Sequence, residues 1–77
     1  MAQPQRVLVA LGAALHEARR ERGLSQEALG LQTGVHRNYV GGIERGERSP
    51  TVATVAKLAD ALGVSLADLF SRAESKH

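Results

Sequence analysis

Apolar residues in this chain return every three or four positions. Leu8, Leu11, Leu15 and Ala18 do so, which predicts an amphipathic helix from Val7 to about Arg22, stopped by Gly23 and carrying Glu17, Arg20 and Glu21 on its polar face. Ser25 stands where a helix N-cap is wanted, Gln26 and Glu27 fall in the first turn, and Ala28, Leu29 and Leu31 supply apolar contacts before Gly34. A second helix over about residues 26–32 follows from this pattern, too short to persist without tertiary packing. A third is expected over about residues 37–45, ended by Gly46. Thr51, after Pro50, caps a fourth helix with the stripe Val52, Val55, Leu58, Ala59 and Leu62, closed by Gly63. Ser65 and Asp68 fit a capping box for a fifth helix containing Leu66, Leu69 and Phe70. The apolar pattern is lost after Arg72, so the terminus, residues 73–77, is expected to fray. No segment alternates with strand period over a useful length, and the expected architecture is an all-α, compact five-helix bundle.

Composition narrows the picture. The 77 residues allow one domain, spanning 1–77, with a small core. There is no cysteine, so neither a disulfide framework nor a thiolate zinc site can support the fold; aliphatic packing must, with or without a partner subunit. The first residues lack a signal-peptide pattern and no apolar run approaches the roughly 20 residues that span a bilayer, so a soluble, cytoplasmic protein without a membrane is expected. His16, His36 and His77 are remote in sequence with no ligand spacing, so no metal is expected. Nor does any residue set resemble a nucleophile, base and orienter; the chain reads as a non-enzyme without cofactors.

Charge changes the picture only through its chemistry. Ten Lys/Arg against eight Asp/Glu, a formal +2, permit a nucleic-acid partner without requiring one. Arginine, with its directed fork of donors, supplies eight of those ten cations, which favours directed hydrogen bonding over bulk attraction; a solvated surface is the other reading. Two short helices joined by a turn containing Gly34 also constitute the helix-turn-helix pattern.

The stretch LSQEALGLQTGVHRNYVGGIERGERSPTVATVAKLADALGVSLADLF, Leu24 to Phe70, resembles the DNA-binding domain of the phage-repressor (Cro/C1-type), or lambda-repressor-like, helix-turn-helix family. With the preceding helix, the resemblance covers about Val7 to Phe70. Its spaced features are LSQE, the GV before the third helix, IERG at its end, SPT, and LADALGVSLADLF. Among compact members the chain is most similar to the controller proteins of restriction–modification systems, through RNYVGGIERGERSPT.

The resemblance implies that the third helix enters the DNA major groove, with Arg37 and Asn38 at the principal base-reading positions. Their chemistry suits the task, since Arg can donate twice to guanine O6 and N7 while Asn pairs with adenine N7 and N6. Phosphate binding by Arg37 and a helix-start role for Asn38 are the alternatives. Gln26, His36, Arg45 and Arg48 match positions at or near the DNA backbone, and the hydroxyl of Tyr39 could reach phosphate beside them. Partial core burial of Tyr39, a helix-start role for His36 and ordinary surface roles for the others stay open. Gly41 and Gly42 each cost about 1 kcal/mol relative to Ala in an exposed helix interior. Close approach to the groove is one reason for them, and close packing against the first helix is the other. Arg19 and Glu44 match a family ion pair that ties the third helix to the first. Leu66, Leu69 and Phe70 match a region that often supplies a twofold interface.

One bidentate contact discriminates by only about 1–3 kcal/mol, so a rare site needs two helices related by symmetry. The expected function is therefore a sequence-specific transcriptional regulator, a homodimer on a palindromic operator in double-stranded DNA. It would act as a repressor by blocking a promoter or as an activator through RNA polymerase contact. Control of restriction–modification genes is the special case the resemblance suggests. The alternative is a protein-interaction module, such as an antitoxin or a transcription bridging protein. DNA selection that depends on Arg37 and Asn38 separates the two.

Overall fold

The computed structural model describes residues 3–76, which form α1 (Pro4–Glu21), α2 (Gln26–Thr33), α3 (Arg37–Glu44), α4 (Val52–Leu62) and α5 (Leu66–Ser75). Local chemistry sets most of these limits. Pro4 occupies the start of α1, where its missing N–H would be unpaired in any case, so the helix begins nearly a turn before the expected Val7. The hydroxyls of Ser25, Thr51 and Ser65 accept from the backbone N–H of Ala28, Thr54 and Asp68 at 2.9, 3.1 and 2.9 Å. These bonds satisfy donors that a first helical turn leaves without a partner. The carboxylate of Asp68 accepts instead from Arg72 Nε at 3.1 Å. Gly34 and Gly63, at φ 77° and 71°, close α2 and α4 in the left-handed conformation.

The last helix corrects one expectation. Rather than fraying after Arg72, α5 continues to Ser75, because Ala73 is buried in the core and charged pairs fasten the same segment to α1. Arg72 Nη1 donates to Glu17 and Glu21 at 3.1 and 3.0 Å, and Lys76 Nζ donates to Glu17 at 3.0 Å. A small apolar residue and polar neighbours hold this end, a combination that a search for large apolar side chains passes over. His77 lies outside the described residues.

Leu15, Leu29, Val40, Ile43, Leu58 and Leu69 are the largest fully enclosed side chains, drawn from all five helices. Helix α1 runs against both α3 and α5, and α2 lies between α3 and α4. The contact of α1 with the end of α3 depends on Gly12, where a Cβ would fall 2.6 Å from the Glu44 carbonyl oxygen and would also strike that of Ile43. Close helix packing on α1 is thus the role of Gly12, not of Gly41 or Gly42. A Gly12→Ala substitution is expected to destabilise the protein by about 2 kcal/mol, because backbone cannot step aside. Gly41→Ala meets only the ends of the Arg45 and Gln26 side chains and is expected to stay within about 1 kcal/mol of the parent. Urea unfolding of the two variants measures the contrast.

Candidate nucleic-acid interface

Helix α3 divides its residues cleanly. Val40 and Ile43 point into the core, while Arg37, Asn38 and Arg45 are exposed. Positions 37, 38, 41 and 45 fall on one side of a helix with 3.6 residues per turn, so the outward face is defined by the helical repeat. Gly30 brings α2 against the start of this helix. A Cβ there would collide with the Val35 carbonyl oxygen and lie 3.3 Å from the Arg37 nitrogen.

What holds α3 at its far end is a carboxylate. The side chain of Glu44 is only 4% exposed and receives Arg19 Nε at 2.7 Å and Arg19 Nη2 at 3.0 Å, a two-pronged pair from α1. Gln26 Nε2 of α2 donates to it at 3.1 Å, and His16 Nδ1 of α1 lies 2.8 Å away. Arg19 also donates to the Leu24 carbonyl at 2.7 Å, tying in the α1–α2 connection. Burial by itself would raise the Glu44 carboxyl. Hydrogen bonds from Arg19, His16 and Gln26, with the Arg19 charge, outweigh it and hold the group below its ordinary value of 4.5. The same hydrogen bond raises Arg19 against the opposing effect of burial. His16 is absent from the sequence-level site, although its spacing from Arg19 on one helix face was the available signal.

The other site residues fall around this anchor. Gln26 was expected to offer a free side chain to DNA, but its amide nitrogen is engaged with Glu44 and its Oε1 hangs over Gly41, 3.2 Å from where a Cβ would sit. His36 is the N-cap of α3, its Nδ1 accepting from the Asn38 N–H at 3.0 Å. Arg37 Nη1 donates to Glu27 at 2.8 Å, with both side chains more than half exposed. Tyr39 is half-buried against the core, and the Arg48 guanidinium sits 6.0 Å from its ring centre, at the outer limit of a cation–π contact. Arg45 Nε donates to Glu47 at 3.0 Å.

The paired glycines lie beneath these arginines. Both are buried. A Cβ on Gly41 would stand 3.0 Å from Arg45 Nη1, and one on Gly42 would stand 2.7 Å from Arg48 Cγ. Missing side chains therefore give the guanidinium end of Arg45 and the stem of Arg48 a bed on the helix surface. On α5, Leu69 is fully enclosed by the chain's own core, which corrects the expectation that it contacts a second subunit: it has no surface to offer. Leu66 packs partly on that core, and Phe70, one turn later on α5, remains 38% exposed.

Known proteins can be compared with this arrangement. The family model HTH_3, described as helix-turn-helix, matches residues 15–69. The chain is 44% identical over 61 residues to the uncharacterized HTH-type transcriptional regulator y4dJ of Sinorhizobium fredii, covering 79% of each chain. The crystal structure of the restriction-modification controller protein C.AhdI from Aeromonas hydrophila superposes with a TM-score of 0.78 at 45% identity, covering 80% of this chain and 94% of that one. The controller protein C.Esp1396I, solved as a tetramer with its natural 35 base-pair operator, superposes with a TM-score of 0.81 at 27% identity, covering 91% and 92%. Among the described residues no helix is long and apolar enough to cross a membrane, and no group of three or more His, Cys, Asp or Glu could hold a metal ion.

The Glu44 anchor makes stability depend on pH in a defined direction. Because its folded pKa is depressed, its contribution is complete above 4.5 and is lost as pH falls through the depressed value. Glu44→Gln is expected to lose about 3 kcal/mol at neutral pH, since it leaves the Arg19 charge without its buried partner. It should also flatten the acid limb of the stability profile. Urea unfolding from about pH 7 down to about pH 3 compares parent and variant.

Proposed function

This chain belongs to the HTH_3 family of helix-turn-helix DNA-binding transcriptional regulators, and from that premise we propose that it acts as a homodimer on a palindromic operator, with α3 of each subunit in a major groove. The observation that carries the reading is the exposed Arg37 and Asn38 in the first turn of a helix whose start packs on α2 and whose other end is clamped by Glu44. A rigidly held helix can aim two side chains at base edges, because the orientation is decided before DNA arrives. Arg37 addresses guanine and Asn38 adenine.

The surrounding donors then position the duplex. His36, Tyr39, Arg45 and Arg48 face phosphate and sugar, and Gln26, whose amide is held by Glu44, does so through its backbone N–H in the first turn of α2; such contacts set register without reading sequence. When Arg45 and Arg48 swing out to phosphate, Gly41 and Gly42 are uncovered and permit close approach of the groove. Leu66 and Phe70 form the contact between subunits, which doubles the number of bases read and sets half-sites about 34 Å apart. The operator complex of C.Esp1396I and the likeness to C.AhdI support this reading, and its special case is control of restriction–modification genes in the cytoplasm. A dimer seated beside a promoter either blocks it or contacts RNA polymerase.

Selection from a randomised duplex library at about 0.15 M salt tests the proposal. An inverted repeat should be enriched by the intact protein and not by the folded Arg37→Ala/Asn38→Ala variant, each single change weakening selected-site binding about 10- to 100-fold. Weak, equal, strongly salt-dependent binding to every duplex overturns it and directs attention to a protein partner. Phe70→Arg should leave a folded monomer in sedimentation equilibrium and abolish the preference for paired half-sites; an unchanged dimer overturns the assignment of the interface.

A further inference from the structure

The outward face of α2 and α3 nearly cancels its own charge. Arg37, Arg45 and Arg48 are exposed there, but Glu27 holds the first and Glu47 the second. Two of its three arginines are thus held by a carboxylate before DNA arrives. These two carboxylates differ in what they restrain, because only Arg37 stands at a base-reading position.

We infer that Glu27 is a specificity-determining residue that makes Arg37 favour a base edge over a phosphate. The inference rests on the proposed DNA-reading role of Arg37. Gly30, one turn after Glu27, lets α2 lie directly against the start of α3, so the carboxylate is placed beside the guanidinium by packing. A guanidinium has five N–H donors, of which Glu27 takes one at Nη1. Two of the remainder suffice for guanine O6 and N7, both uncharged acceptors. Arg37 can therefore satisfy Glu27 and a guanine together. A phosphate on the same guanidinium would bring a second anion next to Glu27, and the like charges repel. The pair is well exposed, so it is weak enough to adjust as DNA docks. Glu27 thus lowers binding to arbitrary duplex and leaves binding to the matching base largely intact. Glu47 beside Arg45, a phosphate-facing residue, weakens binding to all duplexes alike.

The test measures intact protein, Glu27→Gln and Glu47→Gln on the selected duplex and on a scrambled duplex across a salt series, with folding checked by thermal melting. For Glu27→Gln, scrambled-duplex affinity should rise about five-fold or more, with a salt slope steeper by about 0.9, the release expected for one added phosphate contact. Selected-duplex affinity should change less, so the ratio of selected to scrambled binding falls. For Glu47→Gln the affinities should rise together and the ratio hold. An unchanged ratio in Glu27→Gln, or equal behaviour of the two variants, overturns the inference while leaving the DNA-reading role standing. If the intact protein prefers no duplex, the DNA-reading role itself fails and the role of Glu27 with it.

Discussion

The fold turns on one buried carboxylate. Glu44 sits at the end of α3 and collects Arg19 and His16 from α1 and Gln26 from α2, so three helices meet at two oxygen atoms. A charge taken from water needs several good donors to be tolerated, and this one has them. Directional bonds to a single group leave α3 little freedom to roll or slide. Apolar packing by Val40 and Ile43 supplies the attraction of α3 for the core, and the carboxylate supplies its orientation.

That division of labour shapes the outer surface. With the inner face of α3 committed to the core and its C-terminal end to Glu44, only the first turn and the outward stripe remain for a partner. Arg37 and Asn38 occupy the first turn, where His36 caps the helix. The stripe beyond is nearly bare backbone, with the guanidinium end of Arg45 over Gly41 and the stem of Arg48 over Gly42. Flexible cations resting on a low surface can be lifted away without disturbing the helix beneath. Base reading concentrates at one end, and adjustable charge is spread over the rest.

Much of this was legible along the chain. The three- and four-residue recurrence of leucines, the capping hydroxyls of Ser25, Thr51 and Ser65, and the stops at Gly34 and Gly63 placed the helices to within a few residues, because they act through near neighbours. The ion pair of Arg19 with Glu44 came from the likeness of the chain to a family rather than from any local pattern. Two of the expectations that failed did so for related reasons. Leu69 reads the same as an interface leucine or a core leucine until its neighbours are known, and the end of α5 is held by Ala73 and by carboxylates on α1, more than 50 positions away along the chain.

By itself, then, the order of residues determined most helix limits, though not the end of α5, along with which faces are apolar and which side chains carry donors suited to bases and phosphates. Those are properties of short stretches, governed by periodicity and by hydrogen bonds that reach three or four residues. Only the tertiary structure decided that Gly12 rather than Gly41 or Gly42 admits a neighbouring helix, that His16 and Gln26 join the buried carboxylate, and that Glu27 faces Arg37. Each of these depends on how two helices cross, and the crossing is the outcome of packing the whole core at once.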